Sequence, residues 1–216
     1  MTIEQTANLS LIISALGFCT SVVVLYLSQL RKGKIAVVVG PRIAVYHHDY
    51  PSGISTNLVV PVSFVNNTSA TATILKVGIW IYRHDSQDEK YFLRWHKFEL
   101  QDETNGSAWI HEEDCHSLVL PPRSGLHKNI WFPWHSINSQ KLFLTEGEYT
   151  ISLLIWENEK KKPKEFKRNF HIQIESQRAY ERYRAQQLTN DLRILIDESG
   201  LPNNQVMTIK EAKKLL

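Results

Sequence analysis

The side chains best suited to chemistry are histidines. Of the nine in the chain, His47, His48, His84, His111, His116 and His135 fall in or beside segments where the chain is expected to turn, and alternating the strand directions brings them to one end of a domain. Asp49, Asp85, Glu112, Glu113, Asp114 and Cys115 lie close to them in sequence. Imidazole, carboxylate and thiolate are ordinary ligands of transition metals, and histidine changes charge near neutral pH. A site of this kind would hold zinc, nickel or copper, or respond to acidification. The spacing argues against metal: His111-Glu-Glu-Asp-Cys115-His116 has no paired Cys-x-x-Cys and is not the His-Glu-x-x-His of metallopeptidases. No cofactor is expected, and His47, His48, His84, His111 and His116 are the residues a metal assay would test.

Nucleophilic catalysis has as little support. Cys115 is followed by His116, but neighbours along a strand point to opposite faces and do not normally pair. The chain lacks a glycine-rich phosphate loop, a Gly-x-Ser-x-Gly elbow and a kinase signature, and Pro121-Pro122-Arg-Ser-Gly reads as a turn. The expectation is a protein that is not an enzyme, with a metal-dependent hydrolase as an alternative.

A second cluster is basic. The segment Glu157-Asn-Glu-Lys-Lys-Lys-Pro-Lys carries Lys160, Lys161, Lys162 and Lys164, and Arg31, Lys32 and Lys34 lie near the N-terminus. Together these could touch anionic headgroups at about 1 kcal/mol per charge near the surface. The whole chain has 25 Lys and Arg against 22 Asp and Glu, a balance too even for a protein that wraps nucleic acid, so none is expected as partner.

The elements that would position these groups begin with residues 9–30, which carry no charge and would form a helix of roughly 33 Å, enough for a hydrocarbon core of about 30 Å. The head, residues 1–8, has only Glu4 charged, unlike a cleavable signal peptide. The expectation is a single-pass membrane protein with lipid as partner. Arg31, Lys32 and Lys34 after the span put its N-terminus outside and its C-terminal domain in the cytoplasm. Sequons at Asn66, Asn67 and Asn105 point the other way but are frequent by accident. Ser10, Ser14, Gly17, Ser21 and Ser28 recur at helical spacing, a face of small side chains that lets two helices approach closely and suggests a homo-oligomer.

From Ile35 onward the pattern changes to short or alternating runs rich in Val, Ile, Trp, Tyr and Phe, bounded by turn residues. These predict strands near residues 35–46 (broken at Gly40 and Pro41), 57–65, 73–83, 90–99, 107–110, 116–120, 126–132, 148–156 and 165–174. Pro61 suggests an edge or a bulge. Many short strands without helical crossovers give a mainly β fold, an immunoglobulin-like antiparallel sandwich over residues 35–175. Trp80, Trp95, Trp131 and Trp156 lie in these strands and read as packing.

Residues 176–216 read as a helical tail: Ala185, Leu188, Leu192 and Leu195 form an apolar stripe, and Thr208 with Glu211 opens a last short helix. That stripe would pack on the domain or bind an unidentified protein partner. The function expected from this organisation is a non-enzymatic, membrane-anchored interaction or sensing module that oligomerises through its anchor. The alternative from a different class is a membrane effector that clusters to form a pore.

Overall fold

Gly40 and Pro41 divide the first apolar run into two strands, and the consequence reaches the centre of the largest sheet. The computed structural model describes residues 3–27, 33–50, 53–86, 90–102, 108–135, 142–186 and 191–196. The helix α1 covers Ile3–Leu25; strands β1 (Ile35–Val39) and β2 (Arg42–Tyr50) lie end to end along β3 (Gly53–Asn66). Pro61 falls opposite their junction, where the Gly40 N–H donates to the Pro61 carbonyl at 2.7 Å. Proline in an inner strand is therefore tolerated at a break in the neighbouring ladder rather than at an edge. A Cβ at Gly40 would lie 2.9 Å from the Pro61 Cβ, so a larger residue could not make this approach.

The chain continues as β4 (Ala72–Ile74), β5 (Lys76–Arg83), β6 (Lys90–Arg94), β7 (Lys97–Asp102), β8 (Ala108–Asp114), β9 (Leu118–Leu120), β10 (Ser124–His135), β11 (Gly147–Trp156) and β12 (Lys164–Ile172). Helix α2 (Ile174–Ala185) and strand β13 (Leu192–Leu195) follow. Every pairing is antiparallel. The larger sheet runs β13-β2-β3-β10-β7-β8 with β1 also on β3; the smaller runs β12-β11-β5-β6; β4 and β9 form a separate pair. The fold is mainly β.

Alternation along the strands gives each sheet one apolar face. Val45, Leu58, Val60 and Phe132 of the larger sheet join Ile79, Ile81, Leu93 and Leu153 of the smaller in one buried core. Full burial of such side chains contributes roughly 1.5–3 kcal/mol each. Asn66, also fully buried, ties the β3 end to the next loop: its Nδ2 donates to the carbonyls of Ala70, Leu120 and Pro121 at 2.7, 3.2 and 2.9 Å, and its Oδ1 accepts from the Thr68 N–H and hydroxyl.

Two expectations are corrected. Among the described residues no helix is long and apolar enough to cross a membrane. Glu4, Gln5, Thr6, Asn8, Ser10, Ser14, Thr20 and Ser21 dilute the apolar content of α1, and a charged or polar side chain in the hydrocarbon core is costly. The single-pass reading of residues 9–30 is overturned, and with it the topology that placed the N-terminus outside and the domain in the cytoplasm. The second correction concerns the tail. Helix α2 stops at Ala185, and Leu192 to Leu195 form β13, which pairs with β2. Hydrogen-bonding to a long neighbouring strand outweighs the helical spacing of the leucines.

Candidate functional site

The histidines do not form one cluster. His47 is buried in β2, with its ring edge-on to Tyr180 of α2 at a centroid distance of 5.5 Å, and long 3.5 Å contacts join the Tyr180 hydroxyl to His47 Nδ1 and Thr56 Oγ1. It helps to seat α2 on the core. Desolvation raises the Tyr180 phenol above its usual value, partly offset by its bond to Thr56. His48 sits one residue on in β2, and His135 ends β10 beside the same stretch of β3. His84 Nε2 lies 2.8 Å from Thr150 Oγ1. His111 stands opposite Glu99 on β8, the edge strand of the larger sheet, and His116 follows β8 with Nδ1 3.1 Å from the Asp114 carbonyl. Among the described residues no three His, Cys, Asp or Glu side chains are placed to hold a metal ion.

Cys115 is packed against the core, and burial pushes its thiol up to about 12, with Asp114 and Glu113 adding to the effect. It is not an activated nucleophile.

The basic hairpin between β11 and β12 exposes Lys160, Lys161, Lys162 and Lys164, with Lys164 paired to Glu157. Beside it the Leu75 N–H donates to the Trp156 carbonyl, and on the other side of β4 Ser69 Oγ donates to the Leu27 carbonyl, just beyond α1, at 3.1 Å. Lys34 is exposed nearby in sequence, and Arg31 and Lys32 fall outside the described residues.

Along α1, Ser10, Ser14, Gly17 and Ser21 are exposed, and Ser28 falls outside the described residues. The Ser21 hydroxyl donates to the Gly17 carbonyl at 2.8 Å within its own helix, and a Cβ at Gly17 would meet nothing within 4 Å. The large apolar residues are exposed too, from 49% at Val22 to 72% at Leu11. They occupy consecutive positions and so cover every side of the helix. Of the C-terminal stripe, Ala185 ends α2, Leu192 and Leu195 belong to β13, and Leu188 lies outside the described residues, so the expected helical partner face is not formed by these positions.

The outer face of the larger sheet carries a cluster that the sequence reading did not single out. Cross-strand partners share a face, and the register aligns Ala44, Val59, Trp131 and Lys97 in one row and Asn129, Glu99 and His111 in the next. Ala44, Val59 and Trp131 form a second apolar cluster with Tyr46 and Trp109 packed on it. Lys97 Nζ lies 4.4 Å from the Trp131 ring centroid and 2.9 Å from Glu99 Oε1, and the His96 ring meets the same indole edge-on. Burial raises the Glu99 carboxyl above its ordinary range, opposed by Lys97 and by a bond from Tyr46. Trp109 Nε1 donates to Asp191 Oδ2 at 3.2 Å, and Arg193 Nε reaches the same oxygen at 3.3 Å. A Lys-x-Glu pair in a strand near aromatic residues was the signal present in sequence. Its burial follows only from the neighbours supplied by β2, β10 and β8.

Comparison with known proteins adds little. No protein-family model matches the chain, and no curated protein does. One matched solved structure is a family 123 glycoside hydrolase from Clostridium perfringens, described for glycolipid glycan hydrolysis, at 11% identity and a TM-score of 0.33. The match covers 65% of this chain and 27% of that one, so the chain spans about a quarter of its length. A likeness at this level carries no argument about function.

Proposed function

We propose that the protein is a non-enzymatic interaction module that self-associates through α1, with the β domain held beside the assembled helices. The observation that carries this reading is the exposure of α1. Leu11, Ile13, Leu16, Phe18 and Val24 are each more than half exposed. Large apolar side chains exposed in a contiguous patch of this kind mark an interaction surface. A second copy of α1 presents the same apolar surface and the same small residues at Ser10, Ser14, Gly17 and Ser21, where backbones can approach closely. The open space around Gly17 favours that contact.

Sedimentation equilibrium and native mass measurement of the full chain test the proposal. The expected result is an oligomer that dissociates on dilution, and whose dissociation is shifted to higher concentration by Gly17→Ile together with Ser21→Ile. A single-chain mass at every concentration, or an oligomer indifferent to both substitutions, would overturn it.

A further inference from the structure

Arg42 and Arg193 stand on one face of adjacent strands. In the β13–β2 register Arg42 lies opposite Leu195 and Arg193 opposite Ala44, which makes the two arginines diagonal neighbours, roughly 7–8 Å apart along the backbone. Both line a groove of about 220 Å³ on the outer face of the larger sheet. Ala44, Val59 and Pro61 contribute its apolar floor, and Trp109 lines it as well. The Asp191 bond to the Trp109 indole fixes that ring, while Arg193 spends one of its five N–H donors on the same carboxylate. His127 also lines the groove, with Nδ1 3.1 Å from Ser63 Oγ.

The charge of the groove is one-sided. Asp191 pairs with Arg193 behind the groove, no carboxylate is among its described lining residues, and among the described residues Arg42 has no ion-pair partner. Two guanidinium groups at this spacing suit an oxyanion, which arginine binds through paired N–H donors. The floor and the indole suit a hydrocarbon body. A volume below the roughly 300 Å³ at which drug-sized ligand sites begin restricts that body to one ring or a short chain.

We propose that this groove binds a small carboxylate with an apolar body, the acid held by Arg42 and Arg193 and the hydrocarbon laid on Ala44, Val59 and Pro61 against Trp109. The site is separate from α1 and does not depend on self-association. Its strands are held in place by the core on their opposite face, where Ile43 and Ile194 are buried, so the groove is formed before any ligand arrives.

The test is isothermal titration calorimetry of the full chain with benzoate. Benzyl alcohol, of the same shape without the charge, and inorganic phosphate, charged without the body, serve as comparisons. Benzoate is expected to bind saturably and more tightly than either. Arg42→Gln and Arg193→Gln are each expected to weaken it about tenfold or more, as for loss of a hydrogen bond to a charged group. Both arginines are exposed, so the far-ultraviolet circular dichroism of each variant should match the parent. Absence of saturable heat with benzoate, equal binding of benzyl alcohol or of phosphate, or unchanged affinity in both folded variants would overturn the proposal.

Discussion

The carboxylate of Glu99 meets the ammonium of Lys97 at 2.9 Å across one face of β7, with the acid 1% and the base 25% exposed. The acid bears most of the desolvation, so its pKa in the folded chain lies above the ordinary 4.5. A raised folded-state pKa means that the native state holds the proton more tightly than the unfolded one. The corresponding stability is present below the unfolded value and is lost as pH rises through the folded one. Thermal unfolding of Glu99→Gln beside the parent should therefore show the parent losing ground progressively above pH 4.5. Lys97→Met, which strips the buried acid of its cation, should cost about 1–3 kcal/mol near neutrality. A pH-independent difference between parent and Glu99→Gln would refute the first expectation.

Asn66 is a sequon residue that cannot serve as one in the folded chain, since both ends of its amide are committed to neighbouring groups and the residue is fully buried. Asn66→Ala would leave the carbonyls of Ala70, Leu120 and Pro121 without this donor. The expected cost is about 2–4 kcal/mol by urea unfolding, several hydrogen bonds at about 1 kcal/mol each with a penalty for stranded acceptors. A loss below the error of the measurement would show that water replaces the amide without penalty.

The strands were legible because they alternate or stay apolar between strong turn residues. Gly40 and Pro41 marked the break between β1 and β2, and Val77, Ile79 and Ile81 mark the buried face of β5 as period-two alternation requires. What was illegible depended on partners distant in sequence. Leu192, Ile194 and Ile196 alternate, but Leu192 and Leu195 also fit a helix, and only the presence of β2 decides between them. The histidines are scattered for a related reason: assigning turns to ends by counting strands does not foresee that β7 and β8 form a hairpin beyond β10, which places His111 within the edge strand β8 rather than in a turn. In α1 the uncharged run was plain, and its structural consequence was not.

Cys115 should be inert in the native chain. With its thiol pushed up to about 12, the thiolate is a vanishing fraction at neutral pH. In a Cys19→Ser background, iodoacetamide at neutral pH should leave the folded protein unlabelled over a period in which the urea-unfolded protein reacts fully. Equal labelling of the two states would mean that the site opens readily.

Gly78 makes room for an aromatic ring on the outer face of the smaller sheet. A Cβ there would lie 2.8 Å from Phe92 Cε2, and Phe92 in turn contacts Trp80 at a centroid distance of 4.9 Å. Gly78→Ala should destabilise by about 1–3 kcal/mol, the usual range for overpacking. The penalty should shrink when Phe92 is replaced by leucine, which makes a double-mutant cycle the deciding measurement. Additive costs would place the strain in the backbone.

Because β13 occupies the flank of β2, the last described residues shield a row of main-chain donors and acceptors that would otherwise face water. A chain cut after Glu175, where composition alone would draw a boundary, would lose that guard together with Tyr180, Ile194 and Ile196, three buried members of the core. The bared flank would then be a template on which other chains could zip, turning a truncation meant to simplify the molecule into a route to insoluble aggregates.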